Sequence, residues 1–335
     1  MEDEGTFRVI PRIGFRVIEV EGLTKYYDDR RAIADVTFSV PRGQVLGFLG
    51  PNGAGKSTTM RILTGYLSAT AGTVAIAGFD VFDSPVEARR RIGYLPESAP
   101  LYNEMRVEDY LRLMCRLRGV HPRRHRERIS YAIEACGLQE RRRDIVGRLS
   151  KGLRQRVGLA QAVVHDPEVL ILDEPTSGFD PGQMREARAL IVGLGRQHTV
   201  ILSSHILPEV SATCERVLII NKGLLVADDA PANLGRRLSK GRSTQVELTV
   251  VGDRERILKK VEKVAGVESV TVNPTAEGAW QVVVTGRRDD LQDALARAVV
   301  GAGHGLRHLE SHELTLEDIY LELTTSEGVE EVPVG

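Results

Sequence analysis

Cysteine is scarce. The 335 residues hold three, Cys115, Cys136 and Cys214, far apart and with no CxxC pair among them. Such spacing argues against a zinc site or a disulfide framework, and three reduced, buried thiols in a cytosolic protein are expected. Long apolar runs are absent too: nothing approaches the roughly 18 consecutive apolar residues that cross a bilayer. The opening MEDEG lacks an apolar h-region, so no signal peptide is expected. Work at a membrane would therefore need another chain to supply the membrane part. Net charge is missing as well, with 45 Lys and Arg against 46 Asp and Glu. That balance provides no global field toward nucleic acid or an acidic membrane. One local excess stands out, seven Arg and two His against one Glu between Arg112 and Arg128. It reads as a solvated helix face, with a docking surface for a partner as the alternative. No internal repeat is visible.

What remains is an ordinary soluble composition, 42% apolar and 27% charged, long enough for two domains or three. Residues 1–16 read as an extension. From 17 to 235, strands at 15–21, 36–40, 44–49, 169–172, 199–203 and 216–221 alternate with helices at 56–67 and 182–197, which argues for a parallel sheet. Residues 98–158 carry Leu, Arg and Met at helical spacing and read as a helical insertion. A polar linker around 228–241 follows. From 236 to 325 the order is β-α-β-β-α-β, a split βαβ, ferredoxin-like α+β domain, closed by a helix over LTLEDIYLEL. The tail, 326–335, is expected to be disordered.

Two stretches carry chemistry. "LGFLGPNGAGKSTTMRIL" fits G-x-x-x-x-G-K-[ST] between a strand and a helix. Small residues from Gly50 through Pro51, Asn52, Gly53, Ala54 and Gly55 let backbone N–H groups curl round phosphate oxygens. The helix entered at Lys56, Ser57 and Thr58 presents its positive end to the same anion. Lys56 reaches β- and γ-phosphates, and the Ser57 hydroxyl ligates Mg²⁺. "EVLILDEPTSGFDP" starts as a buried strand and ends in two acids. Asp173 suits the Mg²⁺, and Glu174 suits a general base that polarises the attacking water.

With both stretches in place the chain resembles an ATP-binding cassette (ABC) ATPase over about residues 17–235. "RLSKGLRQRVGLAQA" resembles the family signature, "SSH" its switch histidine at His205, and "SGFD" the loop ending at Asp180 that crosses to the partner subunit. "LTKYYDD" resembles the segment whose aromatic stacks on adenine, with Tyr27 fitting better than Tyr26. Glu97 in "IGYLPE" stands where the family usually has a Gln that touches Mg²⁺ and senses the transmembrane subunit. The signature reads S-K-G-L where the family at large has S-G-G-Q, but Ser150 and Gly152, which meet the γ-phosphate, are kept. These departures resemble exporter ATPases, the subgroup with gliding-motility-associated members above all.

The resemblance implies a P-loop α/β nucleotide-binding domain that uses ATP and Mg²⁺. It implies His205 near the γ-phosphate and a site shared between two subunits. It also implies a homodimer or paralogous pair, sited on the inner face of the membrane and driving a separate permease, with no nucleic-acid partner. The alternative is a soluble ATPase acting on nucleic acid or ribosomes, although members of that kind usually carry two cassettes or a long coiled coil. A third reading makes the C-terminal domain a ligand sensor, in which His304, His308 and His312 would align only on a helix.

Overall fold

A computed structural model describes residues 16–234, 244–275, 278–288 and 290–312. The residues fall into two compact units that divide after Asp229. The sequence reading set this boundary at 235, at the polar stretch. A strand ending at Asp229 is the last sheet element before it.

The first unit opens with the hairpin β1 (Arg16–Tyr27) and β2 (Arg30–Pro41). Then come β3 (Val45–Leu49), α1 (Lys56–Leu63), β4 (Ala71–Ile76), β5 (Phe79–Asp80), α2 (Pro85–Arg90) and β6 (Ile92–Leu95). A helical stretch follows, with α3 (Val107–Leu117), α4 (His125–Ala135) and α5 (Lys151–Val163). β7 (Val169–Asp173), α6 (Pro181–Gly195), β8 (Thr199–Ser204), α7 (Leu207–Thr213), β9 (Arg216–Asn221) and β10 (Leu224–Asp229) complete the unit.

Two sheets result. The larger runs β10-β9-β3-β8-β7-β6. Its last five strands are parallel, and β10 joins its edge antiparallel. Every residue of β3, β7 and β8 is buried, as parallel strands covered on both faces require. The second sheet, β2-β1-β4-β5, is antiparallel and was not foreseen. In β4 only Val74 and Ile76 are buried, too short an alternation to announce a strand. One core cluster joins both sheets around α1, with Ile18, Leu23, Ile33, Phe48, Met60 and Ile201 among its members. Each such side chain stabilises by about 1.5–3 kcal/mol before entropy is counted.

Two boundaries differ from expectation for local reasons. α1 stops at Leu63, not Leu67, because Gly65 takes φ +68 and the chain folds back, with the N–H groups of Tyr66 and Leu67 both donating to the Arg61 carbonyl. In the stretch read as helical, the first α-helix starts only at Val107, and α5 runs on to Val163. The buried Arg128 of α4 donates to the carbonyls of Val163 and Val164 and so closes the C-terminus of α5.

The second unit contains β11 (Thr244–Val251), α8 (Arg254–Val261), β12 (Val267–Pro274), β13 (Trp280–Gly286), α9 (Leu291–Gly301) and β14 (Gly305–His312). Its sheet is antiparallel in the order β12-β13-β11-β14. Ile257, Val261, Leu291, Leu295 and Val299 of the helices pack with Val246, Leu248, Val250, Val282 and Val284 of the sheet. His308 and His312 lie on a strand, not a helix. Their backbones are therefore roughly 13 Å apart along it. The N-terminal extension, the helix read over LTLEDIYLEL and the tail lie outside the described residues. All three cysteines are buried and free. Burial pushes the Cys136 and Cys214 thiols up to about 12.

Candidate active site

The parallel order sets β3, β8 and β7 side by side, so the segments leaving their C-terminal ends meet at one edge. After β3 the loop is crowded at Gly50 and Gly55. A Cβ on Gly50 would lie 2.4 Å from the Ile220 carbonyl oxygen. One on Gly55, at φ +111, would lie 2.5 Å from Ile33 Cγ2 and 2.9 Å from the Ala32 oxygen. Gly223 bridges the same gap: its N–H donates to the Ala54 carbonyl, and its own carbonyl accepts from Ala34. Gly55 also begins α1, whose first amides carry no side-chain cap and remain free for an anion.

Asn52, Gly53, Gly55, Lys56, Ser57 and Thr58 line a cavity of about 500 Å³ together with Tyr27, Glu97, Glu174 and His205. Gly50, Pro51 and Ala54 shape the loop instead. Ala54 is buried, and the carbonyls of Gly50 and Pro51 accept from Lys56 Nζ at 2.7 and 3.2 Å. Tyr27 is among the lining residues, with Lys25 Nζ 5.5 Å from its ring centroid. Tyr26 is not among the lining residues.

β7 delivers the acid pair, both members buried. Asp173 Oδ1 accepts from Ser57 Oγ at 3.2 Å and from Ser203 Oγ at 2.6 Å. Glu174 has φ +48, a left-handed conformation costly for a non-glycine residue, and its N–H donates to Ser203 Oγ at 2.9 Å. Its two carboxylate oxygens have different neighbours. Oε1 is 3.3 Å from Lys56 Nζ, and Oε2 is 2.9 Å from His205 Nδ1. One carboxylate thus sits between a buried cation and an imidazole that is itself 43% exposed. The charge on Asp173 also reaches Tyr94 on the neighbouring strand, where burial first and Asp173 second push the phenol up to about 12.

Ser57, Asp173 and Glu97 offer only oxygen donors, a set that fits a hard divalent cation sharing its shell with phosphate and water. Among the described residues no three His, Cys, Asp or Glu form a metal cluster.

The signature residues lie elsewhere in the chain. Ser150 and Gly152 line a separate cavity of about 710 Å³ with Phe179, Arg156 and Gln183, and no phosphate-loop residue borders it. Ser150 caps α5 by accepting from the Leu153 N–H at 3.3 Å. Asp180 caps α6, accepting from the N–H groups of Gly182 and Gln183 at 2.9 Å each. Within one chain these three residues do not join Lys56.

Sequence reasoning passed over Ser203, Arg30, Arg31 and Ser177. Ser203 was discoverable as a polar residue ending the apolar strand TVIL, beside a strand ending in acids. Arg30 was discoverable from the hairpin, where it pairs with Tyr27.

Residues 33–177 match the family model for ABC transporters. The chain is 30% identical to the linearmycin resistance ATP-binding protein LnrL of Bacillus subtilis (strain 168), over 92% of its own length and 98% of that protein's. It is 37% identical to the bacitracin transport ATP-binding protein BcrA of Bacillus licheniformis, over 67% of this chain and 73% of that one. A solved ATP binding subunit of an ABC transporter superposes with TM-score 0.61 at 29% identity, covering 67% of this chain and 93% of the other. Relatives of this kind favour a transporter ATPase over one acting on nucleic acid or ribosomes. Similarity that runs nearly end to end shows that the chain belongs to the ATP-binding subunits of ABC transporters, whose ATP hydrolysis is coupled to transport.

Proposed function

We propose that two copies of this chain close on ATP and drive a separate membrane permease as an exporter. The observation behind the shared site is the separation of the two cavities. Lys56, Glu174 and His205 border one, and Ser150 and Gly152 border the other. A signature cavity without a phosphate loop needs a nucleotide brought by a second subunit. Tyr27 stacks on the adenine, and the loop from Gly50 to Thr58 wraps the phosphates. Lys56 holds the β- and γ-phosphates. Ser57, Asp173 and Glu97 hold Mg²⁺, which when bound neutralises phosphate charge. Glu174 takes the proton of the attacking water, and His205 orients that water against the γ-phosphate.

Export is supported by the names of the relatives, one for linearmycin resistance and one for bacitracin transport. No helix among the described residues is long and apolar enough to cross a membrane. A permease would therefore bring this chain to the inner membrane face. Mixing Ser150→Arg with Lys56→Ala subunits tests the sharing, with mixed dimers verified by dual affinity tags. Restored ATPase activity is the expected result. Verified mixed dimers no more active than the sum of the two mutants would overturn it.

A further inference from the structure

β7 and β8 are neighbours, and their ends are joined twice. The first joint is Ser203, which binds Asp173 and the Glu174 amide. The second involves the next residue, whose side chain points the other way, as successive strand residues must. Ser204 Oγ donates to Glu209 Oε2 at 3.1 Å, and Thr176 Oγ1 donates to the same oxygen at 2.8 Å. All three residues are buried. The Ile206 N–H donates to Ser204 Oγ at 3.0 Å, which directs the hydroxyl proton away toward Glu209. Glu209 is rooted in α7, where its carbonyl accepts from Thr213 Oγ1 at 2.7 Å. Its second carboxylate oxygen, Oε1, is buried and accepts no hydrogen bond among the described residues.

A buried carboxylate with one oxygen unpaired is costly, and an apolar residue of similar volume would often be more stable there. The placement of its two donors indicates another use. Thr176 lies two residues after Glu174, and Ser204 immediately precedes His205. The Thr176 carbonyl also accepts from the Phe179 N–H, and Phe179 lines the cavity of Ser150.

We propose that Glu209 is a positioning residue that fixes the segment after Glu174 against the segment before His205. Its side chain bonds to Thr176 and Ser204 rather than to Glu174 or His205. It acts through Thr176 and Ser204, and it helps to hold Glu174 in its left-handed conformation and within 2.9 Å of His205. This inference rests on the reading that Glu174 and His205 carry the chemistry.

The test uses the full chain with Glu209→Ala, Glu209→Gln, Thr176→Val, Ser204→Ala and, alongside, Glu174→Gln. Rate against ATP concentration and thermal stability are measured for each. Small displacements at a reacting centre can cost up to about a hundredfold, so Glu209→Ala should lower kcat at least about tenfold and leave KM for ATP within about twofold. Glu209→Gln keeps an acceptor oxygen and should recover most of that loss. Thr176→Val and Ser204→Ala should each lower kcat, and neither should lower it further on top of Glu209→Ala. They decide the matter if Glu209→Ala fails to fold. Unchanged kcat in both hydroxyl variants, or losses that add independently, would overturn the proposal. A Glu174→Gln protein as active as wild type would instead overturn the assignment of the base.

Discussion

Glu174→Gln separates the charge of this residue from everything else it does. Gln has the same shape and meets the same left-handed backbone at φ +48, so the change adds no new strain there. Its amide oxygen can still accept from Lys56, and its NH₂ can still donate to His205. What disappears is the negative charge that accepts a proton. Loss of a general base slows the chemical step by about 10²–10⁴-fold. At 1.36 kcal/mol per tenfold, that is roughly 3–5 kcal/mol on the barrier. The structural cost is smaller. The pair with Lys56 at 3.3 Å is 5% and 10% exposed, but Lys56 Nζ keeps the carbonyls of Gly50 and Pro51. The loss is therefore about 1–2 kcal/mol, below the 3–5 kcal/mol of a buried charge left with no partner. A cassette of this size would melt only several degrees lower, about 2–4 °C per kcal/mol. The assay is phosphate release at saturating ATP and Mg²⁺, with nucleotide binding and size-exclusion chromatography in ATP. The mutant should bind ATP and accumulate as a dimer. Hydrolysis at the wild-type rate refutes the reasoning and moves the base to another group.

Two further outcomes follow from the same geometry. Glu97 lines the cavity of Lys56 and Ser57, so Glu97→Gln should shift the ATPase rate toward higher Mg²⁺ and leave metal-free nucleotide affinity nearly unchanged. Superimposable Mg²⁺ curves, with loss of stimulation by the permease, would assign Glu97 to coupling instead. Stability should fall in mild acid through His165, whose ring is held down to about 4 by burial first and by the charge of Arg118 second. The unfolded ring takes its proton near 6.5, so the unfolded state binds more protons below that pH. This contribution is intact above about 6.5, is lost as pH falls toward 4, and amounts to about 3 kcal/mol. His198, also lowered by burial, acts in the same direction. Urea titrations at pH 7.5 and 5 should read about 2 kcal/mol of it, since the rest is lost only below pH 5. A His165→Gln protein with the same pH slope would count against the assignment.

The phosphate loop and acid pair were legible because their chemistry dictates residue types at fixed spacing, and the strands bearing them are continuous apolar runs. The β-α-β-β-α-β order after residue 244 was legible because period-2 and period-3.6 patterns alternate there with breakers between them. Less legible was whatever depends on distant pairing. β1 pairs with β4 across fifty residues of chain, and nothing in AGTVAI names its partner. Ser203 and Glu209 were missed for a related reason. Each acts through groups some thirty residues away in sequence, and only the adjacency of β7 and β8 brings them together. Ser150 is the opposite case, since its motif was visible and the structure adds that its cavity is separate from the one lined by Lys56.

The close approach at Gly55 and Gly223 has a consequence for which nucleotides fit. Tyr27 belongs to the antiparallel sheet and Lys56 follows the parallel one, so the cavity draws its lining from both sheets. What holds the sheets together there is main chain: Ala34 to Gly223, Gly223 to Ala54, and no space at Gly55 for even a methyl group. Main-chain hydrogen bonds from β2 to the turn at Gly223, and from that turn to the loop at Ala54, have none of the rotamer freedom by which a side chain adapts. On the proposed roles of Tyr27 and Lys56, the span from base to phosphate is therefore fixed, like the jaws of a caliper locked at one setting. A ligand that touches both jaws needs a base and a phosphate chain at that spacing, and a bare polyphosphate has no base to offer.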